Sequence, residues 1–335
     1  MLAAPGALAA DDPAVVQSRY DRARDREEAL VRTPSPDPAE LARLRATILA
    51  AEHFDHRPVR WRGAREVPHT SLPPGSMRAR AAGGVDVALE RRLAVLGDGY
   101  RGWAAFWVHD LGTGRVAGWN SDARFPAAST VKLGVLAAAL RAIEAAPARS
   151  RLWYDLRQLT GWSSNLAANR LLAQLGGSRV AVALGGLGMT SSTYPGPFRV
   201  GTARLDAPKP PPLATGRYTT ARDLGRALYA LQAAASGNRH QQRRTGLSRA
   251  RARLALELLL SGWGRGDNAG LVRPFLGGVP VAQKNGWLSD TRLTAAIVYA
   301  KAGPKIVVVL AHRPSLPYRE AQSLGKTVLT SARLP

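Results

Sequence analysis

The chain has 335 residues, 47 of them Lys or Arg against 24 Asp or Glu, giving a formal net charge of +23, and it has no cysteine. That length can hold one large domain or two intertwined ones with ample core. The missing cysteines exclude disulfides and thiolate-ligated metal sites, and no apolar run approaches transmembrane length. So high a charge is compatible with an acidic partner such as anionic wall polymers, a phospholipid surface or nucleic acid. No zinc-finger, homeodomain or RNA-motif signature accompanies it. Basic residues recur along the whole chain, as an Ala/Arg/Gly compositional bias would place them.

Leu2 to Ala10 ends in small residues, like a signal-peptidase site, without a basic n-region or a convincing apolar stretch. It reads as the tail of an export signal whose start lies further upstream. Residues 1–84 are expected to form an extension with one helix. Asp37 is the cap of that helix, Pro38 its first position and Glu40 the closing residue of a capping box. It should run to about His53, with Leu41, Leu44 and Ile48 on one face. Arg57 to Gly75 is Pro/Arg-rich and reads as linker. His53 and His56 lie close together with no third ligand in view, the pattern of a solvated helix end.

A helix near Val85 to Leu96 is expected next, then strands at about Gly102 to His109 and Arg115 to Trp119. Ala127-Ala128-Ser129-Thr130-Val131-Lys132 leads into the Ala/Leu-rich run Leu133 to Leu140, a strong helix former. The spacing places Ser129 at or near the helix N-terminus, with Lys132 three residues on and on the same face. Unpaired N–H groups and the positive dipole end would stabilise oxyanion charge there. A desolvated, partly neutral Lys amine can take the hydroxyl proton. Taken alone, the same pattern is a Ser cap followed by a snorkelling lysine.

Ser163-Ser164-Asn165 opens another helix that runs to Leu175 and is closed by Gly176-Gly177. Ser163 offers a hydroxyl able to relay a proton to a leaving amine. Asn165 offers an amide that donates to and accepts from a peptide group. Alone, this is a Ser/Asn helix start. Val279 to Lys284 reads as a strand, continuing through Asn285-Gly286-Trp287. Thr294 to Tyr299 and Ile306 to Leu310 then form a hairpin around Lys301-Ala302-Gly303-Pro304. Gly286 removes a side chain where a ligand must approach the strand. Lys284 can hold a carboxylate as a point charge, although an edge lysine that discourages aggregation looks the same. A closing helix is expected near Tyr318 to Ser331. Strands at both ends around a helical insertion predict an α+β fold. Its antiparallel sheet is flanked by helices, with an all-α lobe at about 129–261.

Together and in this order, the three motifs resemble the class A β-lactamase and penicillin-binding-protein superfamily, over roughly residues 85 to 335. Asn120 to Ser129 is similar to that family's approach to its nucleophile, and Asn165 to Gly177 to its helix after the second motif. Thr219 to Leu224 is similar to the Thr-rich start of the helix after its omega loop. The resemblance implies Ser129 as acylated nucleophile, Lys132 as its proton acceptor and Ser163 as relay to the leaving nitrogen. It implies that Asn165 orients a substrate amide and Lys284 attracts a carboxylate, with Asn285 and Gly286 beside it. Arg292, on the following strand, is a further candidate carboxylate partner. The oxyanion hole would be the backbone N–H groups of Ser129 and Trp287.

Three departures qualify what is carried over. Ser164 stands where β-lactamases carry Asp, and Asn285 where they carry Thr or Ser. Between Glu144 and Glu257 there is no glutamate, so the omega-loop residue that activates the deacylating water is missing. The only acid from Thr190 to Arg217 is Asp206, in Arg204-Leu205-Asp206, and Lys209 falls where the glutamate would be. Asp206 is the candidate deacylation base, or else an ordinary loop carboxylate. The resemblance therefore implies a serine hydrolase that forms an acyl-enzyme with β-lactams or D-alanyl peptides and esters, with weak or altered deacylation. It would be monomeric, without cofactor or metal, and exported to periplasm, cell wall or medium. The alternatives are a catalytically weakened penicillin- or muropeptide-binding sensor and, more remotely, a basic polyanion-binding protein on a borrowed fold.

Overall fold

The structure is a computed structural model that describes residues 13–31, 33–52, 70–143, 147, 150, 152–194, 216–262 and 266–335. The chain divides into two compact units, residues 1–66 with 198–201, and residues 67–197 with 202–335. The first unit holds α1 (Pro13–Val31) and α2 (Pro38–Glu52), which pack on each other. Arg26–Glu40 at 2.6 Å and Arg45–Glu27 at 2.9 Å tie them together. Asp37 Oδ1 accepts from the Ala39 N–H at 2.9 Å, opening α2 as its cap-and-proline start requires. The sequence reading anticipates one helix here and the structure has two. In α1, Arg, Asp and Glu recur so closely that no apolar stripe stands out.

The second unit begins with β1 (Gly84–Val85), α3 (Val87–Asp98), β2 (Trp103–Asp110), β3 (Arg115–Trp119) and β4 (Phe125–Pro126). The helical insertion follows: α4 (Lys132–Ala142), α5 (Trp153–Gly161), α6 (Asn165–Leu175) and α7 (Gly177–Leu187). After β5 (Tyr218–Thr219) come α8 (Ala221–Ala235), α9 (Arg239–Thr245) and α10 (Arg249–Leu260). The chain closes with β6 (Val281–Trp287), β7 (Thr291–Ala300), β8 (Gly303–His312) and α11 (Tyr318–Ser331). Short polar residues start many of these helices. Asp86, Ser164, Thr220, Asn238 and Ser248 each accept from the N–H three residues on.

The main sheet has the order β1-β3-β2-β8-β7-β6. Every pairing is antiparallel except the two-residue β1–β3 pair. The N-terminal hairpin thus joins the C-terminal meander through β2 and β8, and the helices α4 to α10 lie between the two halves in sequence. This is the expected α+β arrangement. β2, β7 and β8 are buried along almost their whole length, so each reads as a near-continuous apolar run. One sheet face, with Phe106, Val108, Val298, Val307 and Val309, packs on Leu89 and Leu93 of α3 and Leu324 and Val328 of α11. Gly325 lets α11 lie against the chain at Leu271, whose carbonyl oxygen would stand 2.0 Å from an added Cβ. The opposite face meets α8: Tyr299 Oη donates to Gln232 Oε1 at 2.9 Å, and the His109 and Tyr229 rings lie 5.4 Å apart. No helix among the described residues is long and apolar enough to cross a membrane.

Candidate active site

Ser129 lies in a turn just ahead of α4. The Ala127 carbonyl accepts from the Thr130 N–H at 3.0 Å and from Thr130 Oγ1 at 2.6 Å, and the Ser129 carbonyl accepts from the Lys132 N–H at 3.2 Å. Ala128 is forced to φ +44°, a left-handed conformation that costs a non-glycine residue about 1–3 kcal/mol and persists only where its surroundings over-determine it. Here they do. β4 pairs with β5 through Phe125–Thr219 and Pro126–Tyr218, and the Ala127 N–H donates to the Arg217 carbonyl at 2.9 Å. Arg217, Tyr218 and Thr219 are therefore stitched to the approach of Ser129.

Ser163, in the link between α5 and α6, also has a left-handed backbone, at φ +60°. This conformation turns its carbonyl and its hydroxyl toward two different lysines. Lys132 Nζ donates to the Ser163 carbonyl at 2.5 Å and to Asn165 Oδ1 at 2.7 Å. Lys284 Nζ donates to Ser163 Oγ at 2.7 Å and to the Asn285 carbonyl at 2.8 Å. Both lysines are buried, at 0% and 2% exposure. Burial pushes the Lys284 ammonium down to about 7. Ser164 caps α6, its Oγ accepting from the Ala167 N–H at 3.1 Å, so its hydroxyl is committed to the helix.

Gly286 brings β6 against the nucleophile turn. A Cβ there would stand 3.0 Å from the Ala127 oxygen, 3.0 Å from the Ser129 nitrogen and 3.1 Å from the Ala128 Cβ. β6 is the edge of the sheet, and its ladder fixes which of its backbone groups face outward. Leu288 and Thr291 exchange backbone hydrogen bonds, so the next pair, Trp287 with Arg292, is of the non-hydrogen-bonded kind. The Trp287 N–H consequently points away from β7, toward the free edge beside Ser129.

Asn285 and Arg292 do not share this face. Side chains alternate along a strand, and Lys284 and Gly286 take the Ser129 side. Asn285 Nδ2 donates to the Asn268 carbonyl at 2.8 Å, and its Oδ1 accepts from Thr294 Oγ1 at 2.8 Å. Arg292, level with Trp287, donates to the carbonyls of Leu288 and Thr291. The two side chains thus do not join Lys284 on the Ser129 face, as a shared carboxylate subsite would require: Asn285 is engaged by Asn268 and Thr294, and Arg292 by two carbonyls, with its Nε buried and unpartnered.

Asp206, Lys209, His53 and His56 lie outside the described residues. Two other acids of the helical insertion are occupied elsewhere. Asp155 pairs with Arg170 at 3.1 Å, and Asp223 accepts from the Ser191 N–H at 2.7 Å and from Ser192 Oγ at 2.8 Å. Among the described residues, no group of three or more His, Asp or Glu side chains could hold a metal ion. Sequence reasoning missed the two left-handed residues and the β4–β5 stitch. The arrangement presents a half-buried hydroxyl, a second hydroxyl bonded to one buried amine beside a carbonyl bonded to another, and an outward N–H, the parts that acyl transfer to a serine requires.

A family model described as the β-lactamase enzyme family matches residues 88–157 and 148–330. No protein of curated function matches the chain. Among solved structures, the β-lactamase from Sphaerobacter thermophilus is similar, with a TM-score of 0.58 at 19% identity, covering 73% of this chain and 95% of that one. The β-lactamase from Desulfarculus baarsii gives 0.56 at 20% identity, with 74% and 97% covered. PBP-A gives 0.56 at 17% identity, with 76% and 99% covered. A variant of PBP-A, solved as an acyl-enzyme complex with penicillin G, gives 0.55 at 17% identity, again with 76% and 99% covered. At these identities the likeness to solved structures is one of fold.

Proposed function

Because the chain belongs to the β-lactamase enzyme family, we propose that it is a serine hydrolase acylated at Ser129 by β-lactams or by D-alanyl peptides and esters. The observation that carries this reading is Ser163, held through its carbonyl by Lys132 and through its hydroxyl by Lys284. In the proposed reaction Ser129 Oγ attacks the substrate carbonyl carbon, and its proton passes to Lys132 in its neutral form. The oxyanion is received by the N–H groups of Ser129 and Trp287. When the acyl bond breaks, the leaving nitrogen or oxygen takes the Ser163 hydroxyl proton. Lys284, already donating to Ser163 Oγ, restores it. In its charged form Lys284 also attracts the substrate carboxylate. Asn165 has one amide oxygen committed to Lys132 and its NH₂ left to meet a substrate carbonyl.

Deacylation is the weak step of this proposal. No glutamate lies between Glu144 and Glu257, and Asp206 is the remaining candidate to activate water. A substrate whose leaving group departs makes room for that water, whereas an opened β-lactam ring stays and blocks it. D-alanyl thioesters should therefore turn over while penicillins inhibit. A muropeptide-binding sensor is the second reading, favoured by the same missing glutamate. Export to the wall compartment, where such substrates are met, belongs to the same proposal.

The test is steady-state turnover of a D-alanyl thioester by the full chain, with Ser129→Ala as control. Turnover that benzylpenicillin abolishes supports the hydrolase. Absence of turnover, with penicillin still bound, would leave the sensor.

A further inference from the structure

A cavity of about 540 Å³ lies on the same sheet face as α8, bounded by β2, α7, α8 and α9. Its volume falls within the range of small-molecule sites. None of its lining residues belongs to the Ser129 site. β2 and β6 are three strand spacings apart in the sheet, about 14 Å.

Its aromatic wall is Trp107, His109 and Tyr229, and its basic side is Arg222, Arg226 and Arg244. Two glycines open it. A Cβ at Gly225 would stand 2.2 Å from the Trp107 ring, and one at Gly188 would stand 2.3 Å from Arg244 Nη2. Gly188 is also left-handed, at φ +82°, so it ends α7 and makes room for the guanidinium in one step.

The three arginines are unequally neutralised. Arg222 stacks over Trp107 at 4.6 Å and makes two hydrogen bonds to Asp122, at 2.7 and 2.8 Å. Arg226 reaches Asp223 only at 3.8 Å and is half exposed. Arg244 Nε donates to the Gly186 carbonyl at 3.1 Å, and among the described residues no carboxylate forms an ion pair with it. Two guanidiniums thus keep charge and donors for an incoming anion. In the aromatic wall, His109 is 3% exposed and its Nε2 is buried without a hydrogen-bond partner. Such an atom is costly to keep and rare in a finished core.

We propose that this cavity is a second ligand site, for a small aromatic anion whose ring lies against Trp107 and Tyr229 and whose oxyanion is held by Arg226 and Arg244. A carboxylate and a phosphate monoester share that chemistry. The site stands whether or not Ser129 is acylated by anything.

Isothermal titration of the full chain with benzoate, phenyl phosphate and neutral benzamide tests the proposal. Saturable binding of an anion is expected, with benzamide at least about tenfold weaker. The tighter of the two anions identifies the oxyanion the site prefers. Arg226→Gln/Arg244→Gln should weaken the anion at least about tenfold, and Lys284→Met should leave it within about threefold. Equal affinity for benzoate and benzamide would overturn the proposal, as would the absence of saturable binding of either anion. So would affinity lost in Lys284→Met and kept in the double variant, because the anion would then be sitting beside Ser129. If the double substitution fails to fold, the charged and neutral probes still decide when read on Lys284→Met, because an anion preference kept in that variant lies away from Ser129.

Discussion

Gly286→Ala is the sharpest perturbation the site offers. The glycine backbone there is not left-handed, so alanine meets no conformational bar, and the conflict is entirely with its neighbours. The new Cβ would stand 3.0 Å from both the Ala127 oxygen and the Ser129 nitrogen, and 3.1 Å from the Ala128 Cβ. The nucleophile turn has little freedom to retreat, because the Ala127 N–H is bonded to the Arg217 carbonyl at 2.9 Å. A few tenths of an ångström must be found between β6 and Ser129. An oxyanion hole tolerates little of that, since its donors have to lie about 2.7–3.1 Å from the developing oxygen. Loss of one donor costs about 10²–10³ in rate, or about 2.7–4 kcal/mol. Overpacking costs the fold about 1–3 kcal/mol. The assay is the rate of acylation by benzylpenicillin, from quenched samples weighed intact, with circular dichroism to confirm folding. A fall of about a hundredfold is expected. A folded variant acylated within about threefold of the unaltered protein would refute the pairing of the Ser129 and Trp287 N–H groups.

Burial holds Lys284 down to about 7, so its attraction for a substrate carboxylate is present below that pH and lost as pH rises through it. Accordingly, kcat/KM for a carboxylate-bearing substrate should fall on the alkaline side of pH about 7, and a profile flat from about pH 6 to about 9 contradicts this. The folded-state pKa lies below the ordinary lysine value, so charge on this amine costs the fold most at low pH. Lys284→Met should raise Tm more at pH about 6 than at about 9, and an equal or reversed gain counts against the depressed pKa. Asp155 and Arg170, 3.1 Å apart and 2–4% exposed, brace α5 against α6 on either side of Ser163. Asp155→Ala should cost about 3–5 kcal/mol in urea unfolding by stranding the guanidinium, and a loss under about 1 kcal/mol would mean the pair is not buried in solution.

The elements that position the site were legible because each carries its own local signal. The Ala/Leu run after Ser129, the Ser164 cap and the apolar runs of β7 and β8 form what their periodicity and caps dictate. Asn285 is different. Lys284 and Gly286 occupy one face of β6, and period-two alternation alone sends the residue between them to the other. That alternation is carried by the sequence itself. Arg292 follows by register with Trp287, which only the folded sheet supplies. The left-handed backbones of Ala128 and Ser163 had no such signal, because neither is a residue type that favours positive φ. They are imposed by tertiary contacts from segments about 90 and 30 residues away, Arg217 and Lys132. The second cavity was equally hidden, since β2, α7, α8 and α9 meet only in space.

Intact-protein mass followed over time after mixing with benzylpenicillin, beside a Ser129→Ala control, decides whether Ser129 is acylated and whether the acyl group stays. A single covalent adduct should form on the unaltered protein, persist as free penicillin is removed, and be missing from the control. An adduct that decays while penicilloate accumulates would contradict the stalled deacylation and point to a working base, with Asp206 the first to replace. An adduct that forms equally on Ser129→Ala, or none at all, would contradict Ser129 as the group that penicillin acylates.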